Sequence, residues 1–244
     1  ILYDKRPLDD ALATHPKLKG MAPRDRALAR LLTATVLRRM PELDAMIAPL
    51  LNKPLRGQAR KVQNLLRLGA AQFVFLDTPA HAVVATTVAA AQASGQRAYK
   101  GLINAVLRRL TREGAVRADN PGQRNAPEWL WESWLAAYGA ESATAIAGAH
   151  LGEASLDITV KSDPEIWAER LEAELLPTGS LRRPAGGDIR DLPGFKEGAW
   201  WVQDAAAALP ATLLRPAPGQ AIVDLCAAPG GKTAQLAATG ANVY

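Results

Sequence analysis

The first half of the chain repeats apolar residues at helical spacing. Residues 22–39 combine an apolar stripe with arginines on the other faces, which predicts an amphipathic helix. Residues 62–73 and 100–110 repeat the pattern, and Thr78-Pro79 is typical of a helix start. We therefore predict an all-α bundle over residues 1–118. The stripe of the first helix consists of Leu28, Leu31, Leu32 and Val36.

The pattern changes after residue 118. Residues 119–127 are polar and rich in turn formers, which predicts a linker between domains. In residues 128–200, a helix carrying several tryptophans precedes the strand-like alternation of residues 156–160. Aromatic residues at helical spacing pack more often than they stack on bases, so we expect the tryptophans to pack. We predict a helical lead-in and a small α+β subdomain. The tryptophans are Trp129, Trp131 and Trp134.

The last stretch, residues 201–244, contains a strand, a turn and a helix. Ile222, Val223 and Leu225 form a short apolar run after turn-forming residues, which predicts a buried parallel strand. Pro229-Gly230-Gly231 then reverses the chain, and a helix is predicted from Lys232. Ligands of open α/β sheets bind outside the carboxyl ends of the strands, where a following helix presents free N–H groups. The loop is therefore a candidate ligand site.

Two familiar glycine loops do not match this turn. A Walker A loop needs a glycine where this chain has Cys226. A dinucleotide fingerprint needs Gly-x-Gly-x-x-Gly, whereas this turn has only the adjacent pair Gly230 and Gly231. An ordinary strand-turn-helix connection without a ligand stays possible on composition alone.

The specific string is more informative. Residues 224–233, Asp-Leu-Cys-Ala-Ala-Pro-Gly-Gly-Lys-Thr, resemble the S-adenosylmethionine loop of the RNA (cytosine-C5)-methyltransferases. Residues 192–195 and 201–204 resemble the entry to that catalytic domain. Residues 65–70, 76–81 and 100–109 resemble the NusB-type helical RNA-binding domain. In this order, the segments resemble the Sun/RsmB-type methyltransferases of small-subunit ribosomal RNA.

The resemblance implies a fold and a cofactor. It implies a multi-domain chain: a NusB-like all-α domain, a small RNA-recognition-like α+β subdomain, and the incomplete start of a Rossmann-like α/β methyltransferase domain. It also implies that S-adenosylmethionine is the cofactor. The residues expected to hold the cofactor are Cys226, Ala227, Ala228, Pro229, Gly230, Gly231 and Lys232.

The resemblance assigns no catalytic residue to this chain. In the family a thiolate adds to cytosine C6 before C5 accepts the methyl group, but the working cysteines lie on later motifs. Cys226 lies in the cofactor loop and is not expected to be the nucleophile. The catalytic cysteines are therefore expected beyond Tyr244, and the chain alone is expected to be inactive.

The basic charge is concentrated in the first half. Residues 1–118 contain 20 of the 29 lysines and arginines but only 8 of the 24 acidic residues. This asymmetry suits a polyanion, although solvated helix faces would also explain it. With the helical resemblance, it favours ribosomal RNA as the partner. The residues expected to contact RNA are Arg24, Arg30, Lys100, Arg108 and Arg109.

Other features of the sequence limit which kinds of site and location are expected. The single cysteine excludes an internal disulfide, the three histidines show no metal-ligand spacing, and no apolar segment approaches the length of a membrane span. We expect a cytoplasmic monomer that binds no metal and no membrane. A second hypothesis is a non-catalytic, NusB-like RNA-binding module of the antitermination type. It explains the basic half equally well, but it leaves the glycine loop without a role.

Overall fold

The computed structural model describes residues 5–244, which divide into two compact units, one ending at Gly152 and one spanning Glu153–Tyr244. The first unit is helical. Its helices are α1 (Leu8–Thr14), α2 (Pro16–Lys19), α3 (Pro23–Arg38), α4 (Met40–Ile47), α5 (Arg60–Phe75), α6 (Ala80–Ala93), α7 (Lys100–Glu113), α8 (Pro121–Asn125) and α9 (Glu128–Ala149).

Helix α5 lies at the centre of the first unit and contacts α3, α4, α6 and α7. Gly69 of α5 lets α7 approach closely, because an added Cβ would lie 2.8 Å from Leu107 Cδ1. The three predicted helices are confirmed as α3, α5 and α7. The predicted stripe of α3 is buried only near its C-terminal end, at Val36, whereas Leu28 and Leu31 are exposed. Pro79 is the N-cap residue of α6, so the helix begins at Ala80, one residue after the predicted start at Pro79.

The segment predicted as a linker contains helix α8, and the boundary between the compact units lies at Gly152 instead. The polar residues of this segment make specific bonds. Asn120 Oδ1 accepts from the Gln123 N–H at 3.0 Å and caps α8. Asn125 Nδ2 donates to the buried carboxylate of Glu42 at 3.1 Å, and Asn125 Oδ1 accepts from the Glu42 N–H at 3.2 Å. Residues 119–127 have the composition of a loop, because helix caps and turns use the same polar residue types.

Helix α9 departs from regular geometry at Gly139, whose φ is 77°. The predicted packing of its tryptophans is only partly correct. Trp134 is half-buried and stacks on His150 with ring centroids 5.2 Å apart, but Trp129 is 70% exposed.

The second unit contains two small sheets. Its elements are β1 (Leu156–Val160), α10 (Pro164–Arg170), β2 (Glu174–Leu175), β3 (Leu181–Arg183), β4 (Trp200–Val202), α11 (Ala205–Leu214), β5 (Ala221–Ile222), α12 (Gly231–Ala238) and β6 (Asn242–Val243). The first sheet is antiparallel with the order β2-β3-β1-β4, and the predicted strand 156–160 is confirmed as β1. The second sheet consists of the two parallel strands β5 and β6.

Each sheet has its own core. Ile158, Leu171, Leu181 and Trp200 are buried together around the antiparallel sheet. The parallel pair buries Ile222 against Leu236 of α12 and Ala211 of α11, among others. No helix within residues 5–244 is long and apolar enough to span a membrane.

Candidate functional site

The predicted strand before the loop is parallel but shorter than expected. Strand β5 pairs with β6 only at Ala221 and Ile222. Val223 is 66% exposed and Leu225 is 91% exposed, so the prediction that they are buried is wrong. Strand β5 has one neighbouring strand among the described residues, and no described element covers these two side chains.

The loop after β5 leads directly into α12. Gly230 is the N-cap residue with a φ of 110°, and no atom lies within 4 Å of the position where its Cβ would be. Within the described part of the chain, the backbone N–H groups of Gly231, Lys232 and Thr233 have no acceptor. The first turn of α12 therefore presents free donors and the positive end of the helix dipole.

The neighbouring helix α11 shows the opposite arrangement. Asp204 Oδ1 accepts from the N–H groups of Ala206 at 2.9 Å and Ala207 at 3.1 Å. Asp157 Oδ2 accepts from the N–H of Ala205 at 3.0 Å. Two carboxylates thus close the first turn of α11, whereas the first turn of α12 is open to an external acceptor.

One acidic residue, Asp224, connects β5 to the loop and to α12. Its N–H donates to the Tyr244 carbonyl at 2.9 Å, which continues the pairing of β5 and β6. Its Oδ1 accepts from the Cys226 N–H at 3.1 Å, and its Oδ2 accepts from the Thr233 hydroxyl at 2.7 Å. Asp224 and Thr233 both belong to the loop string 224–233, but their contact depends on the path of the loop and cannot be predicted from the sequence.

A buried glutamine holds α12 against α11. Gln203 accepts from Trp201 Nε1 at 2.8 Å and donates to Gln235 Oε1 of α12 at 3.2 Å. Gln235 Nε2 in turn donates to the Ala208 carbonyl at 3.1 Å. A Cβ on Gly231 would lie 3.5 Å from Gln203 Cδ, so the start of α12 lies directly against this side chain.

The buried carboxylate of Asp157, paired with the exposed Arg182, fixes the start of α11 to the antiparallel sheet. Asp157 of β1 accepts two bonds of 2.7 Å from Arg182 of β3, and it also accepts from the Ala205 N–H. The Arg182 hydrogen bonds, followed by the Ala205 N–H, hold the pKa of Asp157 below its usual value despite burial.

The predicted cofactor residues form one continuous loop surface. Cys226 to Pro229 are exposed, and Gly230, Gly231 and Lys232 are half-buried. Cys226 is a free, exposed thiol. Among residues 5–244, no group of histidine, cysteine or acidic side chains could hold a metal ion.

The predicted RNA-contacting residues lie on α3 and α7, and some of them are paired with acidic side chains whereas others are not. Arg30 is paired with Asp9, and Arg109 is paired with Glu113 at 3.0 Å. Arg108 is bonded only to the neutral Asn104, and neither Arg24 nor Lys100 has a side-chain partner among the described residues. Three of the five cations are therefore free of acidic partners.

The chain is similar to known proteins along most of its length. Residues 2–112 match the NusB family. The chain is 36% identical over 253 residues to ribosomal RNA small subunit methyltransferase B of Pseudomonas syringae pv. tomato, covering 97% of this chain and 55% of that protein. The same-named protein of Vibrio cholerae is 36% identical over 230 residues, covering 88% and 52%. The chain is therefore a homologue of ribosomal RNA small subunit methyltransferase B.

The likeness to methyltransferase B extends well past the NusB-family part, because 97% of this chain is aligned. The chain spans about half the length of the relatives it matches. The solved crystal structure of PH0851 shares the fold, with a TM-score of 0.66 and 18% identity over 93% of this chain and 56% of that one.

Proposed function

We propose that this chain forms the N-terminal part of an S-adenosylmethionine-dependent enzyme that methylates cytosine C5 in small-subunit ribosomal RNA. The names of its relatives support ribosomal RNA methylation. The observation that carries the cofactor assignment is the open first turn of α12 beside the loop 226–232. A ribosomal substrate also favours a cytoplasmic location, and the monomeric state stays a prediction.

The residues of the loop fit the cofactor. S-adenosylmethionine carries a carboxylate, which suits the free N–H groups of Gly231, Lys232 and Thr233 and the charge of Lys232. Gly230 leaves space where a side chain would stand. We propose that Cys226 to Lys232 hold the cofactor, which supplies the methyl group when it is bound. This chain contributes binding and orientation, and the nucleophilic cysteine is expected elsewhere in the full-length protein.

Methyl transfer can be measured with the full-length protein, labelled S-adenosylmethionine and unmethylated small-subunit ribosomal RNA. Nucleoside mass spectrometry should find the label in 5-methylcytosine. Label in another nucleoside would contradict the proposed base and position, and absence of any transfer to RNA would contradict the proposed reaction.

Gly230→Asp is expected to weaken S-adenosylmethionine binding about 100-fold or more, because its carboxylate would lie at the free N–H groups of α12 and repel the carboxylate of the cofactor. Gly219→Asp is a matched control. Gly219 also has a positive φ, of 79°, and no atom within 4 Å of its Cβ position, but it lies before β5. Calorimetric titration of both variants checks this prediction, and equal losses of affinity would contradict it.

We also propose that the NusB-family part binds ribosomal RNA through α3 and α7. Arg24 and Arg108 are exposed and lack acidic partners, so their charges are available to phosphates. Arg109 shares its charge with Glu113 at 3.0 Å. Neutralising a cation that contacts a phosphate should therefore matter more at the first two positions.

Arg24→Gln and Arg108→Gln are each expected to reduce the slope of log affinity against log salt by about 0.7–1, the value for one lost phosphate contact. Arg109→Gln is the matched control and should change the slope less, because Glu113, which also pairs with Arg112 at 3.1 Å, already offsets part of the charge of Arg109. Binding of small-subunit ribosomal RNA fragments from 50 to 200 mM salt measures the slopes. Unchanged slopes in the first two variants would remove these residues from the interface.

The alternative of a non-catalytic antitermination module is not favoured. The NusB-family match ends at residue 112, whereas the likeness to methyltransferase B covers 97% of the chain. The open loop of the second unit would have no role in such a module.

A further inference from the structure

The loop that enters α12 has little apolar packing to hold it. Leu225 is 91% exposed, and the four residues after it are also exposed. A loop of this kind would sample many conformations unless polar contacts fixed it. Donors for a ligand act best when they are already in place before binding. Some other contact must therefore orient the first turn of α12.

The contact is supplied by Asp224 and Thr233. Asp224 is itself fixed, because its N–H donates to the Tyr244 carbonyl and continues the β5–β6 pairing. From there its carboxylate bonds the Cys226 N–H at 3.1 Å and the Thr233 hydroxyl at 2.7 Å. The same hydroxyl lies 3.4 Å from the Ala227 carbonyl. The parallel strands, the loop and α12 are thus joined through one carboxylate.

This pairing also keeps the helix end open. Thr233 occupies the third position of α12, where a side chain can turn back and bond the N-cap N–H. An aspartate beside a helix start can cap it directly, as Asp204 does for α11. Here the hydroxyl of Thr233 and the carboxylate of Asp224 bond each other instead, and neither closes the turn.

We propose that Asp224 and Thr233 are a positioning pair that holds the α12 N–H groups open for the carboxylate of S-adenosylmethionine. The proposal rests on the proposed function, because it assumes that this loop binds the cofactor. Neither side chain needs to touch the cofactor. The pair sets the affinity for the cofactor and leaves the affinity for RNA unaffected.

Three threonine variants of the full-length protein test this. Thr233→Val removes the hydroxyl at nearly constant size and should raise the Kd and KM for S-adenosylmethionine about tenfold or more, as expected for loss of a hydrogen bond to a charged group. The KM for RNA should not change. Thr233→Ser restores the hydroxyl and should bind within about twofold of the wild type. Thr239→Val, at the other end of α12, removes a hydroxyl bonded only to the Leu236 carbonyl and should bind like the wild type.

Hydrogen exchange without cofactor gives a second readout that does not depend on binding. The hydrogen-bonded amides of Cys226 and Ala234, whose acceptors are Asp224 Oδ1 and the Gly230 carbonyl, should exchange faster in Thr233→Val, with those of α11 unchanged, and Thr233→Ser should restore their protection. Unchanged cofactor affinity or loop exchange in Thr233→Val would overturn the positioning role, as would equal losses in the valine and serine variants. Failure of the wild type to bind S-adenosylmethionine would overturn the proposed function and this inference together. If the wild type binds and Thr233→Val binds with the same affinity, only the inference is overturned.

Discussion

Gly194→Ala is expected to destabilise the second unit by about 3 kcal/mol or more, through backbone strain and overpacking together. Gly194 has a φ of 83°, a conformation that alanine rarely adopts. An added Cβ would lie 2.5 Å from Trp167 Cζ3 and 2.9 Å from Trp200 Nε1. Trp200 cannot move easily, because it is buried and its Nε1 donates to the Pro193 carbonyl at 2.8 Å, and the half-buried Trp167 packs against the same core.

Gly198→Ala separates the two causes. Gly198 also has a positive φ, of 60°, but its Cβ would meet only Lys161 Nζ, at 3.9 Å. This variant should therefore show only the backbone strain, about 1 kcal/mol. Peptide-resolved hydrogen exchange measures the free energy of opening of β1, β3 and β4 in each variant. Equal losses at the two glycines would show that Trp167 and Trp200 yield to the new methyl group.

The sequence predicted the elements whose signal is local. Helices α3, α5 and α7 follow from apolar spacing, and β1 follows from alternation over five residues. Gly194 belongs to residues 192–195, which resemble the entry to the methyltransferase domain, but its contact with Trp167 depends on how α10 packs against that segment. No local pattern reports such a contact.

The wrong predictions have physical reasons too. Asn120 and Asn125 made residues 119–127 look like a linker, yet they cap α8 and bond the buried Glu42. Val223 and Leu225 have the composition of a buried strand, but no described element covers their side chains. Local composition does not show which partner a polar or apolar residue will find.

The same limit applies to the candidate site. The loop string predicted a candidate cofactor site, because its residues are consecutive. The residues that support the loop are dispersed: Gln203 approaches from the end of β4, and Asp157 comes from β1. Their side chains join only when the antiparallel sheet, α11 and α12 are assembled.

Arg182→Ala is expected to destabilise the second unit near neutral pH, because it leaves the buried carboxylate of Asp157 without its two 2.7 Å bonds. The matched control is Arg190→Ala, which breaks an ion pair with Asp188 that is largely exposed. Its cost should be much smaller, because an ion pair between exposed side chains contributes little to stability. Opening free energies of β1 and β3 from hydrogen exchange compare the two variants.

Acid pH should remove the difference in unfolding free energy between the wild type and Arg182→Ala. Folding lowers the pKa of Asp157, first through the Arg182 hydrogen bonds and then through the Ala205 N–H. The ionised carboxylate therefore stabilises the folded unit above the ordinary aspartate pKa of about 3.9, and this contribution is lost as the pH falls through the lower, folded-state pKa. The gap in unfolding free energy between the two proteins, measured by urea titration, should be full at pH 7 and shrink steadily below about pH 4. A gap that stays constant down to acid pH would show that Arg182 acts through packing of its stem rather than through the charge of Asp157.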